Sequence, residues 1–353
     1  MHHTRRFALL LLLALVSTVT QPAVGATTTS HVTVSAAAPA AAAPAPKSRD
    51  VNVVHSNISG AQPVGGGGNG TAPNIDRVVD VLANNPATDV VTMNEVCWNQ
   101  ALYFLQHRAW NWTFSWTSNK FPDENGQRFC PEWQPGHRPL GEFIASPWPL
   151  TNPVDFCLQF NGGVRDVTCD NRFDLYTISL LCIDMNYKNQ GRIVTVCTTH
   201  LPATGSAEPH ALAIRGFLRQ HYPANRPIVL TGDLNESPQN STLDALYRQR
   251  LSGQLDGAGD FLEADQTNQS AFGAPWNYSA TCRTNGVPAL CRSGKFTAQP
   301  PNGAERKIDH VFVSWHAVAG RFAGQGQGVV DLKLRDNPYS HHKILVALPK
   351  MEI

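Results

Sequence analysis

Ile228-Val229-Leu230-Thr231-Gly232-Asp233-Leu234-Asn235 is the stretch from which this chain is best read. Its first half is an apolar, β-branched run of the kind that fills a buried strand. Its second half breaks into an acid and an amide. The same break recurs along the chain. Asn57 closes the β-branched run 50–59, and Glu95 follows Val90-Val91. His200 follows Val194-Thr195-Val196, Asp309-His310 precedes Val311-Phe312-Val313, and His341-His342 precedes Ile344-Leu345-Val346. One polar residue at a strand end is usually a turn former. Six positions rich in carboxylates, amides and imidazoles point instead to one functional rim at the edge of a sheet sandwich.

Around these strand ends the rest of the chain alternates. Apolar spacing predicts helices at 74–84, 98–108, 207–221 and 240–251. Further strands are expected at 89–93, 110–116, 143–145, 173–185, 192–199, 227–231, 307–313, 329–334 and 343–348. Lys188-Asn189-Gln190-Gly191 reads as the turn of a hairpin. In 110–116, Trp110, Trp112, Phe114 and Trp116 alternate with polar residues and give a strand one aromatic face, for packing or for stacking on bases. Mixed strands and helices with frequent hairpins favour a layered α+β fold over a doubly wound parallel sheet.

The chain has 353 residues, 42% of them hydrophobic and 16% charged, with a net charge of +1. That excludes wholesale disorder and a globally basic nucleic-acid coat, though not a local basic groove. Arg5 and Arg6 precede a short apolar run at 7–16, and Val24-Gly25-Ala26 has the small residues of a cleavage site. Residues 1–26 therefore read as a secretory signal peptide, 27–49 as an Ala/Thr/Pro-rich linker and 50–353 as one domain. No stretch is long enough for a transmembrane segment, and a secreted monomer is expected.

Eight cysteines suit an exported, disulfide-bonded chain. The pairing suggested by proximity is Cys97–Cys130, Cys157–Cys169, Cys182–Cys197 and Cys282–Cys291, one of the 105 connectivities that eight cysteines allow. The chain has no Cys-x-x-Cys and no His-Glu-x-x-His, which argues against a structural zinc site or a zincin. The glycine run 65–70 lacks the Lys-Ser/Thr of a phosphate-binding loop.

In order, Asn57-Ile58-Ser59, Asn94-Glu95-Val96, Thr199-His200-Leu201, Gly232-Asp233-Leu234-Asn235, Ile308-Asp309-His310 and Ser340-His341-His342 resemble the endonuclease/exonuclease/phosphatase superfamily, which includes deoxyribonuclease I-like nucleases. The resemblance implies a four-layer αββα sandwich of two packed mixed sheets flanked by helices. It implies that Glu95, with Asn57 beside it, holds Mg²⁺, with Mn²⁺ or Ca²⁺ as alternatives. Asp233 would orient or deprotonate the attacking water, and Asn235 would bind a phosphate oxygen. His342, oriented by Asp309, would stabilise the pentavalent phosphorus, and His200 matches the histidine of nuclease- and sphingomyelinase-like members.

Two positions depart from the pattern. His341 stands where the family usually has Asp, and Asp336 is a candidate replacement. Glu142 falls where many members carry Asn, and the resemblance to deoxyribonuclease I-like members, whose Glu near there partners the first His, implies a Glu142–His200 pair. The expected activity is metal-dependent phosphodiester hydrolysis, with nucleic acid as the leading substrate and Arg165 among the candidate phosphate contacts. The alternatives are a sphingomyelinase-like phospholipid phosphodiesterase and a non-catalytic binding variant of the same fold.

Overall fold

The structure is a computed structural model that describes residues 48–59, 72–117, 130, 140–159, 164–168, 177–202, 207–238, 240–247, 259–264, 294–299, 303–318 and 331–353. The expected signal peptide and most of the expected linker lie outside these residues.

In chain order the elements are β1 (Ser48–Asp50), β2 (Val53–Asn57), α1 (Ala72–Ala83), β3 (Val90–Cys97), α2 (Trp98–His107), β4 (Asn111–Thr117), β5 (Leu140–Ser146), β6 (Leu150–Gln159), β7 (Val164–Thr168), β8 (Thr177–Tyr187), β9 (Arg192–His200), α3 (Ala207–His221), β10 (Ile228–Asp233), β11 (Phe261–Glu263), β12 (Asp309–Ser314), β13 (Asp331–Arg335), β14 (Ile344–Leu348) and β15 (Lys350–Glu352). One sheet has seven strands in the order β11-β12-β10-β9-β8-β6-β7, and the other has six in the order β13-β14-β2-β3-β5-β4. β1 and β15 form a separate ribbon.

Each sheet is covered on both faces, which is why its central strands are continuous apolar runs rather than alternating ones. In β2, Val53 packs between the sheets while Val54 packs under α1 and α2. In β10, Val229 faces the other sheet while Ile228 and Leu230 pack under α3. The layers therefore run helix, six-stranded sheet, seven-stranded sheet, helix, as the α+β sandwich reading expects.

Both sheets are mixed, and each has a parallel pair at its centre. β2 runs parallel to β3, with Asn57 opposite Asn94. β9 runs parallel to β10, with His200 opposite Asp233. Parallel strands end on the same side, so these two pairs deliver four of the polar strand ends to one rim. β12 is antiparallel to β10 and starts where β10 stops, so Asp309 lies opposite Asp233. Gly232 allows this close pairing, because a Cβ there would sit 2.1 Å from the Thr199 carbonyl oxygen.

The hairpin joining β8 and β9 turns through Lys188, Asn189 and Gly191, all at positive φ. Cys182 and Cys197 face each other across it and form a disulfide, and Cys97 is bonded to Cys130. Cys157 is also disulfide-bonded. Cys169, Cys282 and Cys291 lie outside the described residues.

Two expectations change. β6 and β7 were not anticipated, because Asn152-Pro153 interrupts the strand pattern; a register shift between Thr151 and Val154 accommodates it. The helix expected at 240–251 is a short 3-10 helix, Ser241–Ala245, and residues 248–251 lie outside the described set. The Asn240 side chain accepts the Thr242 N–H and so closes a tight turn. The aromatic face of β4 packs on the α2 side. Trp98 contacts Trp112 and Phe114 at 5.7 and 5.4 Å between ring centres.

Candidate active site

The interior between the sheets turns polar toward the rim. His55, Thr92, Asn94, Glu142, Thr198 and Thr231 are all buried. They occur on the inward-facing positions that Val53, Val90, Ile144, Val196 and Val229 occupy farther down the same strands. Two hydrogen bonds tie them across the gap. Thr231 Oγ1 donates to Thr92 Oγ1 at 2.8 Å, and Asn94 Nδ2 donates to Thr198 Oγ1 at 3.1 Å. Buried polar groups need such partners.

Asp233 is the centre of the rim, at 2% exposure. Its Oδ2 accepts a hydrogen bond from Asn57 Nδ2 at 2.9 Å, and its Oδ1 accepts the Asn235 N–H at 2.9 Å. Its own N–H donates to Asn94 Oδ1 at 2.8 Å. Two imidazoles flank the same carboxylate oxygen: Nε2 of His200 and Nε2 of His342 each lie 3.6 Å from Asp233 Oδ2.

His342 is held from behind. Its Nδ1 donates to the fully buried Asp309, 2.9 Å from Oδ2. Burial opposes a charge on this ring, but the Asp309 and Asp233 carboxylates, the Asp309 hydrogen bond and Glu95 outweigh it and push the imidazole up to about 10. His342 is therefore an imidazolium at neutral pH. The His342 backbone N–H donates to Ser340 Oγ, which itself donates to the Asn57 carbonyl oxygen.

Glu95 is the open carboxylate of the cluster, with its side chain 18% exposed. It sits in a β-bulge, because the pairing of β3 with β5 shifts register between Met93 and Val96. Its φ is +54°, and Asn235 at the neighbouring strand end has φ +53°. Such left-handed backbone is rare outside glycine and clusters at functional sites. Asn57 Nδ2 also donates to Glu95 Oε1 at 3.0 Å, and Asn57 Oδ1 accepts the Ser59 N–H. Asn57 thus bridges the two carboxylates through its NH₂ group.

Asn235 Nδ2 donates to the Leu201 carbonyl oxygen at 2.7 Å and lies 3.0 Å from His200 Nε2. As placed, the amide orients His200. To meet a phosphate oxygen it has to release one of these partners.

The structure thus brings together Asn57, Glu95, His200, Asp233, Asn235, Asp309 and His342. His341 is half-buried beside them. Burial and His342 pull its pKa down, against an upward influence from Glu95. Asp336 is exposed and lines a cleft of about 500 Å³ with Asp76, Arg77 and Tyr339. Glu142 is buried and accepts a hydrogen bond from Asn94, whereas the carboxylates beside His200 are Glu95 and Asp233, at 3.9 and 3.6 Å. Burial, with smaller contributions from neighbouring carboxylates, pushes Glu142 well above the usual range despite the Asn94 hydrogen bond. Arg165 lies on the edge strand β7, and its side chain falls outside the described set. Sequence reading missed Asn94 as a site residue, because it sits next to Glu95 and looks like an ordinary strand-end amide.

A divalent cation has two places to consider. Ligand atoms of Asp233, Asp309 and His342 lie within 4.8 Å of one another. Its two carboxylates are buried, and its imidazole is already bonded to Asp309. Glu95 offers a hard oxygen on the open side, which suits a cation that keeps several waters and binds through one or two carboxylates. The residues present therefore fit such an ion.

Comparison with known proteins identifies the family. The Endonuclease/Exonuclease/phosphatase family matches residues 54–323. No curated protein sequence matches. Among solved structures, an endonuclease/exonuclease/phosphatase from Bacteroides vulgatus aligns at TM-score 0.53 and 17% identity, covering 86% of this chain and 100% of that one. One from Beutenbergia cavernae aligns at 0.52 and 20%, covering 86% and 72%. The human nocturnin catalytic domain, with bound sulfate, aligns at 0.51 and 15%, covering 86% and 94%. At these identities the structural likeness speaks to fold, and the family match carries the assignment: the chain belongs to the endonuclease/exonuclease/phosphatase family, whose members hydrolyse phosphoester bonds.

Proposed function

We propose that this protein is a secreted, metal-dependent phosphodiester hydrolase, an endonuclease acting on DNA or RNA. The observation that carries this reading is the placing of two imidazoles, His200 and His342, on one oxygen of the buried Asp233. A phosphodiester repels an incoming nucleophile, so its hydrolysis needs a base for water and positive charge for the phosphoryl oxygens. Asp233 is placed to accept the proton of the attacking water. His342, held as a cation by Asp309, is placed to offset charge on the phosphoryl oxygens. His200, oriented by Asn235, forms the other side of the same pocket. Water adds to phosphorus, the bond to the leaving oxygen breaks, and that oxygen takes up a proton.

Glu95 would hold a divalent cation, with Asn57 fixing its carboxylate; such an ion supplies Lewis-acid polarisation of the phosphoryl group. Mg²⁺ suits the hard oxygen donor, and Mn²⁺ or Ca²⁺ share that preference. The disulfides of the described residues suit an oxidising, extracellular setting.

The test is incubation of the purified chain with plasmid DNA, RNA and sphingomyelin, each with Mg²⁺, Mn²⁺ or EDTA, beside Asp233→Ala and His342→Ala. Nicking that needs metal and is lost in both variants supports the nuclease reading. Release of phosphocholine in place of nicking replaces it with a phospholipid phosphodiesterase. Silence on every substrate overturns it.

A further inference from the structure

The bulge in β3 puts two residues, Asn94 and Glu95, opposite one residue of β5, and that residue is Glu142. The register shows this directly: Met93 faces Phe143 and Val96 faces Gly141, with Glu142 between them. The two bulged side chains then separate. Asn94 is fully buried between the sheets, while Glu95 reaches the open rim.

Glu142 is itself 1% exposed and takes a hydrogen bond from Asn94 Nδ2 on its Oε2. The same Asn94 nitrogen donates to Thr198 Oγ1 on the opposite sheet. With both N–H groups so engaged, the amide can present only its oxygen toward β10, and Oδ1 accepts the Asp233 N–H at 2.8 Å. Turning that amide over would set an N–H against the N–H of Asp233 and leave two buried donors unpaired.

We propose that Glu142 is a positioning residue. Acting through Asn94, it locks the bulge that aims Glu95 outward and fixes the backbone of Asp233. This rests on the phosphodiesterase reading for its effect on turnover, though not for its effect on geometry. The role is one of shape and hydrogen bonding, not of charge. Burial favours the neutral acid at this position, and a neutral side chain of the same length can do the same work. It differs from a carboxylate–imidazole pair with His200, in which the negative charge is what counts.

Two substitutions separate the possibilities without opening a large cavity. Glu142→Gln keeps length and an acceptor oxygen but removes the ability to ionise. Glu142→Asp keeps the acid but falls one methylene short of Asn94. If Glu142 positions Asn94, Glu142→Gln keeps kcat within about 3-fold. Glu142→Asp then loses kcat by about 10²-fold with KM little changed, the scale expected when a reacting group is misplaced by about 1 Å. The opposite order, with Asp active and Gln dead, shows that charge is needed and overturns the proposal.

Crystal structures of both variants supply a readout that needs no substrate. The Asn94 Oδ1–Asp233 N contact is expected to persist in Glu142→Gln and to break in Glu142→Asp. Persistence in both variants overturns the proposal, even if no phosphodiester tested is turned over. Inactivity of the wild type with the contacts changing as expected overturns the functional reading alone.

Discussion

Both oxygens of Asp309 face His342 Nδ1, at 2.9 and 3.1 Å, so the ring cannot turn without breaking a buried ionic hydrogen bond. The pair lies at the start of β12 and just before β14, in different sheets, so it also pins the two sheets together at the rim.

Replacing Asp309 by Asn keeps the shape and removes the charge that holds His342 as a cation. The expected loss in kcat is about 10²–10⁴-fold, the range for an acid–base or orienting carboxylate. The alkaline limb of the pH–rate profile should move to lower pH as the His342 pKa falls from about 10. The sign for stability follows the same shift. The folded value lies above the ordinary 6.5, so the stabilisation is complete below pH 6.5 and disappears as pH rises through about 10. Nuclear magnetic resonance titration of the ring checks it, and an unmoved His342 pKa in Asp309→Asn would count against the coupling.

Gly232→Ala tests the close approach of β9 and β10. The added Cβ would sit 2.1 Å from the Thr199 carbonyl oxygen, which is backbone and cannot move aside alone. The parallel pair must spread, separating His200 from Asp233. A loss of about 2–3 kcal/mol in urea unfolding is expected, the scale of overpacking in a buried element. Activity should fall further than the unfolded fraction explains. Wild-type stability in this variant would mean that the strands are looser than their register implies.

The Gly-Asp-Leu-Asn stretch was legible for this reason. Each residue has a separate physical job: Gly232 for close pairing, Asp233 for the site, Leu234 for the core and Asn235 for a left-handed turn. The strand ends at Asn57, Glu95, His200, Asp309 and His342 were legible as breaks in apolar runs. The edge strands β6 and β7 were not, because Pro153 and the polar residues around it mimic a loop and the ladder absorbs them with a register shift. The orientation of Glu142 was hidden too. Glu142 shares a face of β5 with Ile144, and which face of that strand meets the second sheet is not announced by any local pattern.

His55 predicts acid sensitivity. It is fully buried beneath the rim, with Nδ1 3.0 Å from Thr92 Oγ1. Burial lowers its pKa from 6.5 to about 3, against an opposing pull from Asp233. Here the folded value is depressed for a base, so the unfolded chain takes up the proton first. Stability falls as pH drops below 6.5 and stops falling on this account near pH 3. The slope per such histidine is about 1.4 kcal/mol per pH unit. His310, also buried and shifted down chiefly by burial, adds in the same direction. Urea unfolding at pH 6.5, 5.5 and 4.5 should show the slope, and His55→Gln should lose one histidine's share of it. An unchanged slope in the variant would show that His55 is protonated in the folded chain.

His341 is one of the two positions that the resemblance sets apart, and the structure shows its surroundings. The ring shares the field of Glu95 and His342, and burial and His342 together disfavour its charge. A neutral imidazole there gives the Glu95 side of the rim one anionic group fewer than an aspartate would. Restoring the acid with His341→Asp adds a hard oxygen beside Glu95 and a second negative neighbour for His342. Mg²⁺ binding should tighten by about 10-fold, which corresponds to about 1.4 kcal/mol. The His342 pKa should rise further, because an added nearby anion favours the charged ring. Calorimetric titration with Mg²⁺ on the wild type, His341→Asp and His341→Asp combined with Glu95→Gln separates the contributions. If the single variant binds no more tightly than the wild type, position 341 does not face the cation. If the gain survives Glu95→Gln intact, the new aspartate has made a site of its own, and the assignment of the cation to Glu95 falls.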